Sequence, residues 1–406
     1  MRRLADYKLD PYEVVGETGP DIAAIEMLPG ERMEDCRIEP THEVVRMIYI
    51  GIDVHKKFCY ACIKNKKGGI IEEFKFLNTN DGFTRLLRAI GARPAKAVVE
   101  STGNLWLRLF LTLEENGVEV ILSNPSKTKA IAEARLKSDK VDAAMLADLL
   151  RADLIAACYV PPAHVREVRE ITRMRMTLVR DRTRVKNRIH SLLDRCDVPR
   201  YPGSTLWGKA GIKWLKGLNL PETDGFIFQT YLSQLESLNG LIGEVESNIA
   251  QRAVDNEDIR LLMTIPGIDY YAAMLFVSEI GDIERFPSSS KLASWLGLTP
   301  RVSQSGNKCH HGSITKMGSP RLRWVLVQTA HSAVRYDDHF KRKFTRISER
   351  RGRSKAFVAV AREIAVACFH MLKRREPYRF ADPDLVRRKY KRLEKLGSPA
   401  LCAVKF

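Results

Sequence analysis

The sequence predicts an α/β domain with a mixed sheet, then a long basic helix, then a mainly α-helical second half. Three observations carry this. Strand-like and helix-like runs alternate between residues 47 and 160. From 165 to 197 the apolar period lengthens from two to about 3.5 residues. Beyond 258 the apolar segments are longer and are broken by Pro-Gly and Gly turns.

The elements follow in order. Residues 47–54 and 58–63 read as strands, Lys66-Lys67-Gly68-Gly69 as a turn, and 70–77 as a third strand. Short links between them favour an antiparallel meander. A helix is expected over 83–90, a buried strand at Ala97-Val98-Val99 closed by Glu100, an apolar helix over 105–113 and a strand over 118–122. Ser138 is a suitable N-cap for a helix over 138–150. Three strands followed by αβαβ give an α/β order with a mixed sheet. In 165–197, Val168, Ile171, Leu178, Val185, Ile189 and Leu192 form one apolar stripe among ten Arg and Lys residues. A second helix over 226–252 is expected to return antiparallel and complete a coiled-coil hairpin. Residues 258–335 read as helices and turns, and the chain from 342 onward as basic helix.

Hydrophobic residues make up 45% of the 406 and charged residues 29%, so most of the chain can build cores. The net charge of +18 is uneven. Residues 1–45 hold 5 basic and 11 acidic residues, with Pro11, Pro20, Pro29 and Pro40, and read as a disordered extension. Met47 directly before the first strand is an alternative translation start. The remainder is net +24, which calls for a polyanionic partner. No apolar run approaches a membrane span, and the first residues lack a secretory signal. Eight scattered cysteines read as reduced thiols of a cytoplasmic protein. Cys59 and Cys62 have thiol-pair spacing, but two residues three apart on a strand face opposite ways.

Four carboxylates stand out. Asp53 interrupts an apolar strand, which is costly unless the acid is paired or holds a metal. Glu100 closes a strand, where sites of α/β sheets collect. Asp139 and Asp142 lie three apart at a helix start and share a face. Four acids converging from two strands and one helix need cations, and hard oxygen ligands suit Mg²⁺ or Mn²⁺. Two such ions about 4 Å apart clamp a phosphodiester and activate its attacking oxygen. On a basic protein this points to phosphoryl transfer on DNA or RNA.

Gly51-Ile52-Asp53-Val54-His55-Lys56, Val99-Glu100-Ser101-Thr102-Gly103 and Lys137-Ser138-Asp139-Lys140-Val141-Asp142-Ala143 resemble the DEDD transposases of the insertion-sequence 110 family. So do Ile265-Pro266-Gly267-Ile268, Leu296-Gly297-Leu298-Thr299-Pro300, Ser305-Gly306-Asn307-Lys308 and Gly312-Ser313-Ile314-Thr315-Lys316-Met317-Gly318. The likeness spans residues 47–376. It implies an RNase H-like (RuvC-like) nuclease domain over 46–160, a coiled-coil linker over 161–257, a mainly α-helical C-terminal transposase domain over 258–376 and a basic tail over 377–406. It further implies a prokaryotic, nucleoid-associated DNA recombinase, whose acids Asp53, Glu100, Asp139 and Asp142 hold Mg²⁺. Ser305 would attack the DNA backbone and form a phosphoserine intermediate; Ser303 lies two residues away. A bridge non-coding RNA would pair with element ends and target DNA, and a homodimer or tetramer would hold the duplexes. The acidic extension and Cys309-His310-His311 depart from the family pattern. A RuvC-like junction nuclease that uses water and forms no covalent intermediate is the alternative.

Candidate nucleic-acid contacts are Arg180, Arg184, Lys186 and Arg188 on the basic helix, and Lys308, Lys316, Arg321, Arg323, Lys341, Arg342 and Lys343 farther on. The last three open a basic run continued by Arg346, Arg350, Arg351, Arg353 and Lys355. Gly267 sits in a helix-hairpin-helix-like turn, 262–268, whose backbone amides could hold a phosphate.

Overall fold

Residue 47 opens a nearly continuous apolar stretch, and the first strand is accordingly covered on both sheet faces. The computed structural model describes residues 47–101, 103–131, 138–305 and 308–398. The expected acidic extension, residues 1–45, lies outside the described residues. The chain divides into two units, one ending at Cys158 and the other beginning at Tyr159.

In the first unit, β1 (Ile48–Val54), β2 (Phe58–Lys64) and β3 (Ile70–Leu77) precede α1 (Asn80–Ile90), β4 (Ala95–Glu100), α2 (Trp106–Glu115), β5 (Glu119–Ser123), α3 (Pro125–Ile131) and α4 (Asp139–Arg151). The sheet order is β3-β2-β1-β4-β5. The three-strand meander is antiparallel, and β4 and β5 join parallel to β1. This mixed five-stranded sheet is consistent with an RNase H-like fold. Ile48, Ile50, Ile52 and Val54 bury one face of β1 with Phe83 and Leu86 of α1 and Leu109 and Leu113 of α2. On the other face Val98 packs with Leu146 and Leu150 of α4. Gly51 allows that approach: a Cβ there would lie 2.0 Å from the Ala143 carbonyl oxygen and 2.5 Å from the Ala147 nitrogen. The buried Lys64 of β2 also ties α4 down, through a 2.6 Å ion pair with Asp148.

The second unit opens with α5 (Ala163–Arg195), α6 (Lys209–Lys216) and α7 (Glu222–Ala253). Contacts between the two long helices run in opposite directions. Arg175 Nε donates to Glu246 at 2.9 Å, Arg182 to Asn239 at 3.3 Å, and Arg195 pairs with Asp224. The helices are therefore antiparallel. Val185, Ile189, Leu192 and Leu193 pack with Phe228, Leu232 and Leu235, but Leu215 of α6 enters the same core. That end is thus a three-helix cluster, where the sequence suggested a bare two-stranded seam.

The rest comprises α8 (Glu257–Leu262), α9 (Tyr270–Ile280), α10 (Ser289–Trp295), β6 (Pro300–Ser305), β7 (Lys308–Ile314), α11 (Pro320–Tyr336), α12 (Asp338–Arg351), α13 (Arg353–Arg374) and α14 (Pro383–Gly397). Helix α9 is buried along almost its whole length, packed by α5, α7, α8 and α11. One feature differs from expectation. Residues 300–305 and 308–314 form an antiparallel strand pair. Its strands lack apolar alternation, with Val302 exposed, so cross-strand backbone pairing makes them and the side-chain pattern gives no signal. Residues 383–397, within the expected basic helical end of the chain, form a helix with Leu393 fully buried. Lys389 of α14 donates at 2.7 Å to both the Met263 and Ile265 carbonyls. No described helix is long and apolar enough to cross a membrane.

Candidate active site

Strand alternation places Asp53 and Glu100 on one face. In the parallel pairing of β1 with β4, Ile52 stands beside Val99. The next residue on each strand is Asp53 and Glu100, at the carboxyl ends of adjacent parallel strands. Both share the face of Gly51 and Val98, the face α4 covers. The chain crosses that face with the first turn of α4 toward the same edge, because Ala143 lies over Gly51. The Ser138 side chain accepts from the Val141 amide at 3.3 Å and starts the helix there. Asp139 and Asp142 occupy this first turn, where the helix dipole favours negative charge.

The structure brings Asp53, His55, Asp139 and Asp142 close enough to act on one another, while strand register alone sets Glu100 beside Asp53. Asp53 is only 9% exposed. Burial pushes its carboxyl above the ordinary range, His55 pulls it back down, and the nearby Asp139 and Asp142 push it up. His55 Nε2 lies 3.1 Å from Asp53 Oδ2 and 3.1 Å from Asp139 Oδ1. Ligand atoms of Asp53, His55 and Asp139 lie within 4.8 Å of one another. The Nε2 atom is buried without a hydrogen-bond partner among the described residues. Crowded carboxylates beside an unsatisfied buried nitrogen are a donor set that suits a divalent cation. Sequence reading missed His55. Its signal was the Asp-x-His spacing, since residues two apart at a strand end point to the same side.

Ser305 belongs to the other unit. It closes β6, where its register partner on β7 is Lys308. Ser303 lies two residues back, opposite His310.

The candidate nucleic-acid residues have varied surroundings. On α5, Arg184 pairs with Asp181 at 2.7 Å, and Arg180 reaches the Met176 sulfur at 3.9 Å. Lys186 and Arg188 lie over the rings of Trp207 and Tyr231. Arg323 donates to the Leu296 carbonyl at 3.1 Å and to the Gly318 carbonyl at 3.2 Å, clasping the intervening segment. Burial lowers its pKa from the usual arginine value. Arg321 Nε is buried without a hydrogen-bond partner among the described residues, and Lys316 has φ +57°. Gly267 has φ +88°, and a Cβ there would meet the Thr329 carbonyl oxygen at 2.8 Å, so packing against α11 accounts for this glycine. The Ile265 and Ile268 amides are used within their own turn.

Lys343 pairs with Glu363 at 2.9 Å. Lys341 and Arg342 line a shallow groove with Arg346. A deeper groove of about 660 Å³ runs between the hairpin at Gly312 and Ile314 and the helices α12 and α13, lined by Arg346, Arg350, Arg351, Lys355 and Arg362. Arg362 lies beyond the basic run that composition picked out.

Residues 50–197 match the family described as "Transposase", in its DEDD insertion-sequence 110 type. Residues 259–345 match the "Transposase IS116/IS110/IS902 family". The chain is 27% identical over 345 residues to the transposase for insertion sequence element IS1111A of Coxiella burnetii, covering 81% of this chain and 91% of that one. It is 26% identical over 300 residues to the transposase for insertion sequence element IS1533 of Leptospira borgpetersenii, covering 70% and 85%. It is also 26% identical over 346 residues to the pilin gene-inverting protein of Moraxella bovis, covering 81% and 97%.

Proposed function

Because this chain belongs to the IS110 family of transposases and is an enzyme acting on DNA, we propose that it cuts and rejoins DNA through Asp53, Glu100, Asp139, Asp142 and the Ser305 hydroxyl. The observation that carries this reading is the convergence at one sheet edge: two acids end adjacent parallel strands, and two more begin the helix packed across them. The four acids hold Mg²⁺ or Mn²⁺. When bound, these ions neutralise charge on a phosphate and lower the pKa of an attacking hydroxyl.

The chain's own groups do the rest. Ser305 Oγ forms a bond to a DNA phosphorus, the bond from that phosphorus to a deoxyribose oxygen breaks, and the serine proton is lost as the sugar oxygen leaves as a hydroxyl. The phosphoserine bond conserves the phosphodiester energy, so attack by another strand's hydroxyl rejoins DNA without a further energy source. The Ser-Gly-x-Lys string and the place of Ser305 at a hairpin end support it as the nucleophile. Residues 46–160 form the nuclease domain, 161–257 a coiled-coil arm that assembles a homodimer or tetramer, and 258–376 the domain that presents Ser305. The basic groove beside the hairpin takes the backbone of DNA or of a bridge RNA that selects element ends and target. The setting is the cytoplasm of a prokaryote, at the nucleoid. The pilin gene-inverting relative supports recombination, by its name.

A second reading has one observation in its favour: all four acids sit in the first unit, complete without Ser305. A nuclease using water needs nothing else. Trapping reactions decide between them. Asp53→Ala should abolish strand cleavage and leave DNA binding largely intact, because the acids do not supply the positive field. Ser305→Ala should still bind DNA and RNA but form no covalent protein–DNA adduct, whereas Ser303→Ala keeps the adduct. An adduct in Ser305→Ala, or none in an active wild type, leaves the water-using nuclease. RNA co-purifying with the chain, complementary to both element end and target, tests the guide.

A further inference from the structure

The four-carboxylate reading leaves the imidazole of His55 without a role, yet the structure holds that ring in place. The His55 amide donates to the Phe58 carbonyl at 2.9 Å, and Asn78 Nδ2 donates to the His55 carbonyl at 2.9 Å. The ring packs on Phe58 with centroids 4.8 Å apart. Its backbone is thus pinned from two sides and its ring from a third, so Nε2 meets the acids at little entropic cost.

The spacing around Nε2 is informative. The atom approaches one oxygen of Asp53 and one of Asp139, each at 3.1 Å, yet has no well-directed hydrogen bond. A histidine serving as an ion-pair partner would aim an N–H at one of them. A histidine sharing a cation with them would aim its lone pair between them. Adjacent ligands of an octahedral ion with bonds of about 2.1 Å lie about 3.0 Å apart. Both separations match that edge. We propose that His55 Nε2 is a protein ligand, with Asp53 and Asp139, of one divalent cation, and that this nitrogen makes the site prefer a transition ion such as Mn²⁺ over Mg²⁺. The inference rests on the metal-dependent reading of the acids. Its physical basis is donor softness: imidazole suits first-row transition ions, whereas Mg²⁺ takes oxygen and gives up its waters reluctantly.

The test uses the full chain and Mn²⁺ itself as probe. Electron spin-echo spectroscopy of bound Mn²⁺ should show coupling to a ¹⁴N nucleus in the wild type and lose it in His55→Ala and His55→Gln. Calorimetry should show Mn²⁺ affinity falling by at least about tenfold in His55→Ala, the loss that even an outer-sphere partner of a ligand costs. His55→Gln offers an amide oxygen instead and should narrow the preference for Mn²⁺ over Mg²⁺. Circular dichroism on each variant separates these effects from misfolding, and a misfolded Ala variant leaves the Gln variant to decide. Mn²⁺ bound in an Asp53-dependent way without ¹⁴N coupling overturns the His55 assignment and leaves the acid site standing. Equal tightening of Mn²⁺ and Mg²⁺ in His55→Gln also overturns it, since removing a competing imidazolium would do that. A wild type that binds neither ion sinks the metal-dependent reading and this inference together.

Discussion

Gly51→Ala tests whether the acid site depends on how closely α4 approaches the sheet. The new Cβ would lie 2.0 Å from the Ala143 carbonyl oxygen and 2.5 Å from the Ala147 nitrogen, both backbone atoms that no rotamer change can move. Ordinary contact begins at 3.4 Å, so α4 has to retreat by about 1.4 Å at Ala143. Asp142 is the neighbouring residue and Asp139 one turn earlier, so both carboxylates move with it. Overpacking of this kind costs about 1–3 kcal/mol of stability. The functional loss is larger in proportion, because a misplacement of about 1 Å at reacting groups costs on the order of 10²-fold in rate. Divalent-cation-dependent strand cleavage should therefore fall by about two orders of magnitude while the chain still folds and binds DNA. Single-turnover cleavage, filter binding and thermal unfolding measure the three quantities. Gly240→Ala is the control: it lies on helix α7 with nothing within 4 Å of the added Cβ, and should be neutral or slightly stabilising. Wild-type cleavage by Gly51→Ala would refute the claim that this helix approach positions the acids.

Two further outcomes follow from the second unit. Replacing Arg346, Arg350 and Arg351 together by Gln should weaken DNA binding and reduce the slope of log affinity against log salt by about 2–3, since each phosphate contact contributes roughly 0.9; an unchanged slope would place the DNA elsewhere. Burial pulls the Lys389 ammonium down to about 8, against an opposing pull from Asp269. The folded chain then releases this proton before the unfolded chain does, so between about pH 8 and 10.5 the unfolded state holds more protons and stability rises with pH. Denaturant unfolding at pH 7.5 and 10 should show a rise of as much as about 2 kcal/mol in the wild type relative to Lys389→Met; parallel behaviour of the two would disprove it.

Several features were legible in sequence because they are local. Strand and helix periods placed the elements of the first unit between 48 and 151 to within a few residues, except the short helix α3, which was not read. Asp53 showed itself as a charge inside an apolar strand, and Asp139 and Asp142 as a pair on one helical face. A parallel register and a helix crossing a sheet depend on partners far along the chain, so only the folded structure set Asp53 beside Glu100 and brought α4 over Gly51. His55 carried only a local hint, its Asp-x-His spacing, because a histidine after a strand acquires a role only when a helix some 84 residues later carries Asp139 to within 3.1 Å of it. The strand pair β6–β7 gave no period to read, because backbone pairing stabilises it and its described side chains are largely exposed. Charge density alone marked the basic run after 341. Tertiary structure sorted it, committing Lys343 to Glu363 while turning Arg346, Arg350 and Arg351 into a shared groove, since a long cation's role depends on whether a carboxylate is within its reach.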